Sequence, residues 1–178
     1  VNDSTWTLRA PNRVLFYKNG DLEVEPMELV NHRQVISAKG KLSSVSDDSL
    51  LVTAQNVDLR QFNPLLQIWL LTLEGTLGAD VTLRRTRGDL VFKGDIGLST
   101  FQLNGNKIGT LEMNARYGAS EKHITVNGFT SLGLLDEAGH ETKNITFDGT
   151  YHLDRKDESI DFMVSAKPAN LKVLNPFL

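Results

Sequence analysis

Apolar and polar residues alternate with a period of two along most of this chain, the spacing that sends successive side chains to opposite faces of a strand. From Leu73 to Leu83 the odd positions carry Leu73, Gly75, Leu77, Ala79, Val81 and Leu83, and the even ones Glu74, Thr76, Gly78, Asp80 and Thr82. The next run changes parity, with Leu90, Phe92, Gly94, Ile96 and Leu98 set against Asp89, Lys93 and Asp95. Four more runs follow the same rule: Gly109, Leu111, Met113, Ala115 and Tyr117; Ile124, Val126 and Gly128; Ile145, Phe147, Gly149, Tyr151 and Leu153; and Ile160, Phe162, Val164 and Ala166. Shorter pieces of this texture surround Trp6 to Leu8, Val14 to Phe16, Leu22 to Val24, Val35 to Ala38 and Leu50 to Ala54.

Turn-forming residues separate the runs: Lys18-Asn19-Gly20-Asp21, Asn104-Gly105-Asn106, Gly118-Ala119-Ser120-Glu121 and Asp154-Arg155-Lys156-Asp157. Short turns join antiparallel neighbours, so the pattern predicts an all-β chain, a long antiparallel meander of about ten to thirteen strands. One stretch breaks the alternation. Asn63 and Pro64, followed by Leu65, Leu66, Gln67, Ile68, Trp69, Leu70 and Leu71, read as an N-cap and an N1 proline opening a short apolar helix near residues 64–71. A fully buried strand is the competing reading of the same residues.

A sheet with two unlike faces must hide the apolar one. An ordinary closed core needs a second sheet or several helices as a lid, and the sequence offers one short helix. The alternative is an open groove.

Composition narrows the classes of function. The chain has 178 residues and a net charge of −3, with 19 basic against 22 acidic side chains, so it lacks the basic excess with which nucleic-acid binders neutralise phosphates. The absence of cysteine excludes a disulfide scaffold, a thiolate nucleophile and a cysteine-ligated metal site. No uninterrupted apolar run reaches the length of a membrane-spanning helix. The four histidines, His32, His123, His140 and His152, lack the i, i+4 helical or His-x-His spacing that metal sites favour. His152 and Asp154 share a strand face of polar parity, and Asp136, Glu137, His140 and Glu141 crowd a loop that reads as a solvated hairpin tip. No nucleophile elbow, P-loop or dinucleotide fingerprint is present. Arg84, Arg85 and Arg87 form the one basic cluster, at a strand end where charge protects an edge. These observations point away from an enzyme and name no cofactor.

A long repeat runs through the chain. Asp58-Leu59-Arg60-Gln61-Phe62-Asn63-Pro64-Leu65-Leu66 aligns with Asn170-Leu171-Lys172-Val173-Leu174-Asn175-Pro176-Phe177-Leu178 at an offset of 112 residues, and Ser49-Leu50-Leu51-Val52 aligns with Ser159-Ile160-Asp161-Phe162 at 110. The related segments are residues 40–66 and 149–178. Repeats signal units that hide their apolar faces by stacking on neighbours. With its Val start and its Asn-Pro-Phe-Leu finish, the chain reads as a single β-rich fragment of a larger repeat protein.

The Leu-Asn-Pro-Phe-Leu phrase, the strand from Leu73 to Leu83 after the helix, and the unit from Ile108-Gly109-Thr110-Leu111 to Tyr117-Gly118 resemble the C-terminal repeat region of the TamB (translocation and assembly module) family, in the form found in Bacteroidetes-type bacteria. The resemblance covers roughly residues 35–178. Where family members place a Gly-Thr and Pro element, this chain has Arg84-Arg85-Thr86-Arg87-Gly88. The family belongs with the AsmA-like and bridge-like lipid transfer proteins. It implies a sheet curled lengthwise into a trough, the β-taco, whose apolar inner face shelters phospholipid acyl chains on their way between the inner and outer membranes. It also implies a periplasmic location within an inner-membrane-anchored envelope protein, an outer-membrane Omp85-class barrel as partner, and a part in outer-membrane protein assembly.

On this reading the groove is lined by Leu73, Leu77 and Val81; Leu90, Phe92 and Ile96; Leu111, Met113 and Tyr117; Ile124 and Val126; Ile145, Phe147 and Tyr151; and Ile160, Phe162 and Val164. The alternative function is an interaction scaffold whose end strands pair with client strands by β-augmentation. An outer-membrane barrel shares the alternation but calls for aromatic girdles, and 7% aromatic content is low for that.

Overall fold

The computed structural model describes residues 5–9, 12–86, 89–118, 122–135, 141–155, 157 and 159–166. Eleven strands form one antiparallel sheet. They are β1 (Thr7–Arg9), β2 (Val14–Phe16), β3 (Leu22–Asn31), β4 (Gln34–Leu42), β5 (Ser49–Asp58), β6 (Leu73–Thr86), β7 (Asp89–Leu103), β8 (Asn106–Gly118), β9 (His123–Leu135), β10 (Glu141–His152) and β11 (Ile160–Ala166). From β3 to β11 each strand pairs with its neighbours in sequence, while β1 and β2 both pair with β3. Among the described residues the sheet does not close on itself.

The turns follow from their residues. Asn104 and Gly105 both take positive φ, at 49° and 75°, as a two-residue type I′ hairpin between Leu103 and Asn106 requires. At Lys18-Asn19-Gly20-Asp21 the Tyr17 N–H donates to Asp21 O and the Gly20 N–H to Tyr17 O, each at 2.9 Å. The turns at residues 119–121 and 156 lie outside the described residues, wholly or in part.

The helical stretch differs from the expectation in place and in role. A 3₁₀ turn over Leu59–Phe62 leads into α1 (Asn63–Leu66) and a second 3₁₀ turn over Gln67–Trp69, and Leu70 ends the run in the left-handed region at φ 56°. The first 3₁₀ turn is capped by Asp58, whose carboxylate accepts from the Arg60 N–H at 3.0 Å, while α1 follows Phe62 with no side-chain cap. Hydrogen bonds from the Arg60 side chain, against the opposing effect of partial burial and with help from the Arg60 amide and charge, hold the Asp58 carboxyl below its usual range. Asn63 sits inside the helix and bridges to β6: its Oδ1 accepts from the Leu73 N–H at 2.8 Å and its Nδ2 donates to Leu73 O at 3.1 Å. Leu65 and Ile68 are outside, 70% and 78% exposed, whereas Leu59 is buried.

Two buried clusters anchor the sheet. Leu59, Phe101, Leu103 and Ile108 form one, with Leu71, Leu73, Leu77, Leu98 and Leu111 packed against it. Val24, Leu42 and Leu50 form the other, with Leu22, Met27, Ala38, Val52 and Leu83 around them. The first depends on bulges. Between Leu98 and Phe101 strand β7 carries one more residue than β8, at Thr100 with φ 51°, so the inward parity switches from even to odd. Phe101 and Leu103 thereby share a cluster with Leu98.

Candidate functional site

The register of the strands decides whether the apolar positions of separate runs meet. Four rows of residues cross the sheet from β5 to β11. The first is Leu50, Leu83, Phe92, Tyr117, Ile124, Tyr151 and Ile160. The second is Val52, Val81, Gly94, Ala115, Val126, Gly149 and Phe162, and the third Ala54, Ala79, Ile96, Met113, Gly128, Phe147 and Val164. The fourth is Val57, Leu77, Leu98, Leu111, Thr130, Ile145 and Ala166. Since parity sets the face, these rows share one side of the sheet, and every residue in them is apolar except Thr130.

All the candidate lining residues except Leu73 and Leu90 fall in these rows. Leu73 packs against the buried cluster beside the helical segment. Leu90 lies opposite Arg85 at the far end of the β6–β7 pair and is 45% exposed. Leu77 and Leu111 touch the same buried cluster as Leu73, so the fourth row borders a closed end of the sheet. In the middle rows Val81, Ile96, Met113, Ala115 and Val126 are half-buried. Toward β11 the rows open further, with Ile160, Phe162 and Val164 all more than half exposed.

Glycines within the rows make room for rings. A Cβ at Gly149 would meet the Phe162 ring, and one at Gly128 the Phe147 ring, so each aromatic lies over the glycine registered opposite it. Phe147 and Phe162 stack with centroids 6.1 Å apart, and Phe92 and Tyr117 lie 6.0 Å apart in the first row. A depression of about 870 Å³ crosses the third row over β5 to β10. Its lining is chiefly the two polar rows that flank the third row, among them Asp80, Asp95, Glu112, Asn114, Asn127 and Thr146, and no residue of the other three apolar rows enters it.

The opposite face carries the polar rows, such as Thr53, Asp80, Asp95, Asn114, Asn127 and Asp148. Asn114 donates to Asp95 across the β7–β8 pair. Lys143 stands 4.3 Å from the centre of the Phe129 ring.

Several site residues escaped the sequence reading. Phe101, Leu103 and Ile108 close one end of the apolar face, and a bulge hid their parity. Arg85, read as an edge charge, donates from Nη1 to Gly20 O at 2.8 Å and ties β6 to the first hairpin. His123 and His152, scattered in sequence, are registered opposite each other on β9 and β10 with ring centres 5.6 Å apart. Among the described residues no three metal-ligating side chains converge. Residues 136–140 lie outside the described set.

Among the described residues no helix is long and apolar enough to cross a membrane. No family model, curated protein or solved structure matches this chain.

Proposed function

We propose that this chain is a non-enzymatic segment of an envelope-spanning, periplasmic protein, and that its sheet curls into a trough whose apolar face shelters phospholipid acyl chains in transit between membranes. One observation carries the reading: four apolar rows stay in register across seven strands, and no second layer roofs their middle among the described residues. An acyl chain left in water costs about 0.8 kcal/mol per CH₂, so a 16-carbon tail costs on the order of 12 kcal/mol. A continuous apolar strip offsets that cost at every step. Strands lie about 4.8 Å apart, so the rows from β6 to β11 run roughly 24 Å. That exceeds the roughly 15 Å depth of one leaflet. The polar face keeps the outside wet.

A second reading rests on β11. Among the described residues it pairs with β10 alone, all seven of its residues are exposed, and an edge left unpaired there fits β-augmentation by a client strand in outer-membrane protein assembly with an Omp85-class barrel.

Native mass spectrometry of the purified chain tests the first reading directly, with co-purified phospholipid expected. Phe147→Arg places a charge in the third row and is expected to lower the bound lipid several-fold while leaving far-UV circular dichroism unchanged. Equal lipid occupancy in Phe147→Arg and the parent chain would remove the groove reading. If instead Val164→Pro on β11 abolished function in cells while Phe147→Arg did not, the edge would be the working surface.

A further inference from the structure

We propose that His123 and His152 form a two-imidazole clip for a divalent transition-metal ion on the polar face of the sheet. The two residues are registered directly opposite each other. The His152 N–H donates to Ser159 O at 2.7 Å, away from β9, whereas the next residue, Leu153, donates to Lys122 O at 2.9 Å toward it. His123 and His152 therefore occupy a non-hydrogen-bonded pair, the position where facing side chains approach most closely. Their ring centres lie 5.6 Å apart with planes tilted by 58°.

That spacing suits one shared ion. With metal–nitrogen bonds near 2.0–2.1 Å the ion sits roughly 3.2 Å from each ring centre, and two rings at this separation subtend roughly 120° at it. Both residues share parity with Thr125 and Thr150, so the clip faces away from the apolar rows and is independent of the lipid reading. On its other flank His123 is registered against Gly118. Imidazole donors favour Cu²⁺ over Zn²⁺ in the usual order of divalent affinities. The sequence carries no hint of this pair, because the two residues meet only through strand register.

Titration of the chain with CuCl₂ and ZnCl₂, followed by calorimetry and, for copper, electron paramagnetic resonance, tests the clip. One copper ion per chain is expected, with hyperfine structure from two imidazole nitrogens and weaker zinc binding. His123→Ala and His152→Gln are each expected to weaken copper binding roughly tenfold or more, while His32→Ala, at the exposed β3–β4 turn, leaves it unchanged. Circular dichroism confirms that each variant is folded. Parent-like affinity in both folded variants at positions 123 and 152, or no binding by the parent chain at millimolar metal, would overturn the proposal.

Discussion

Asp21 shows how one side chain can hold two hairpins together. It is 4% exposed, and its carboxylate accepts from the Ser43 hydroxyl at 3.1 Å, the Ser44 N–H at 3.1 Å and the Ser44 hydroxyl at 3.3 Å. Donation by the Ser44 amide, against the opposing effect of burial and with help from Ser43, holds the Asp21 carboxyl below its usual value near 3.8. A carboxylate lowered in the folded state stabilises above its unfolded pKa and loses that contribution as pH falls through the folded one. Urea midpoints are therefore expected to fall between pH 7 and pH 3 in the parent chain. Asp21→Asn should start lower at pH 7 and lose less on acidification. The turn at residues 18–21 was readable from Asn19 and Gly20, but the partners of Asp21 lie 22 and 23 residues away, where no local pattern points to them. The same holds for His123 and His152. Residue type announces a turn; only register tells which distant side chain comes alongside.

Among the elements, the segment from Leu59 to Trp69 is held as much by one asparagine as by burial. Asn63 makes both hydrogen bonds to the Leu73 backbone, fixing the angle at which the chain enters β6. Asn63→Ala is expected to cost about 1–3 kcal/mol in urea unfolding and to speed hydrogen exchange at the Leu73 amide. Asn63-Pro64 was legible as a helical signal, and a helical turn does occupy these residues. Its extent was not legible, since Asp58 caps the preceding 3₁₀ turn and Leu65 and Ile68 stay outside. Strand bounds show a related limit. The long even-parity run of β7 reads cleanly as far as Leu98, after which the bulge at Thr100 exchanges the faces and alternation alone loses the thread. Pro26 likewise masks the second half of β3, where the register shifts between Val24 and Met27.

For the molecule as a whole, strand order follows chain order from β3 to β11, so most of the topology was legible once the turns were. What alternation could not supply is the alignment of one strand's apolar positions with the next, because a slip of one residue would put them on opposite faces. Stability is expected to be graded along the sheet. Hydrogen exchange should be slowest in β6 to β8, which are paired on both sides and next to the buried clusters, and fastest in β1, β2 and β11. A flat profile would show that the ladder opens all at once.

The strictly sequential order of β3 to β11 leaves the ribbon's length a free variable. From β4 to β10 each strand pairs only with its predecessor and successor, so excising two consecutive ones, β8 and β9 for instance, would set β7 beside β10 with direction and facing preserved. A barrel has no such latitude, because its strand number is bound to its tilt and stagger. Here strands can be gained or lost in pairs, and the span of the ribbon scales with their number.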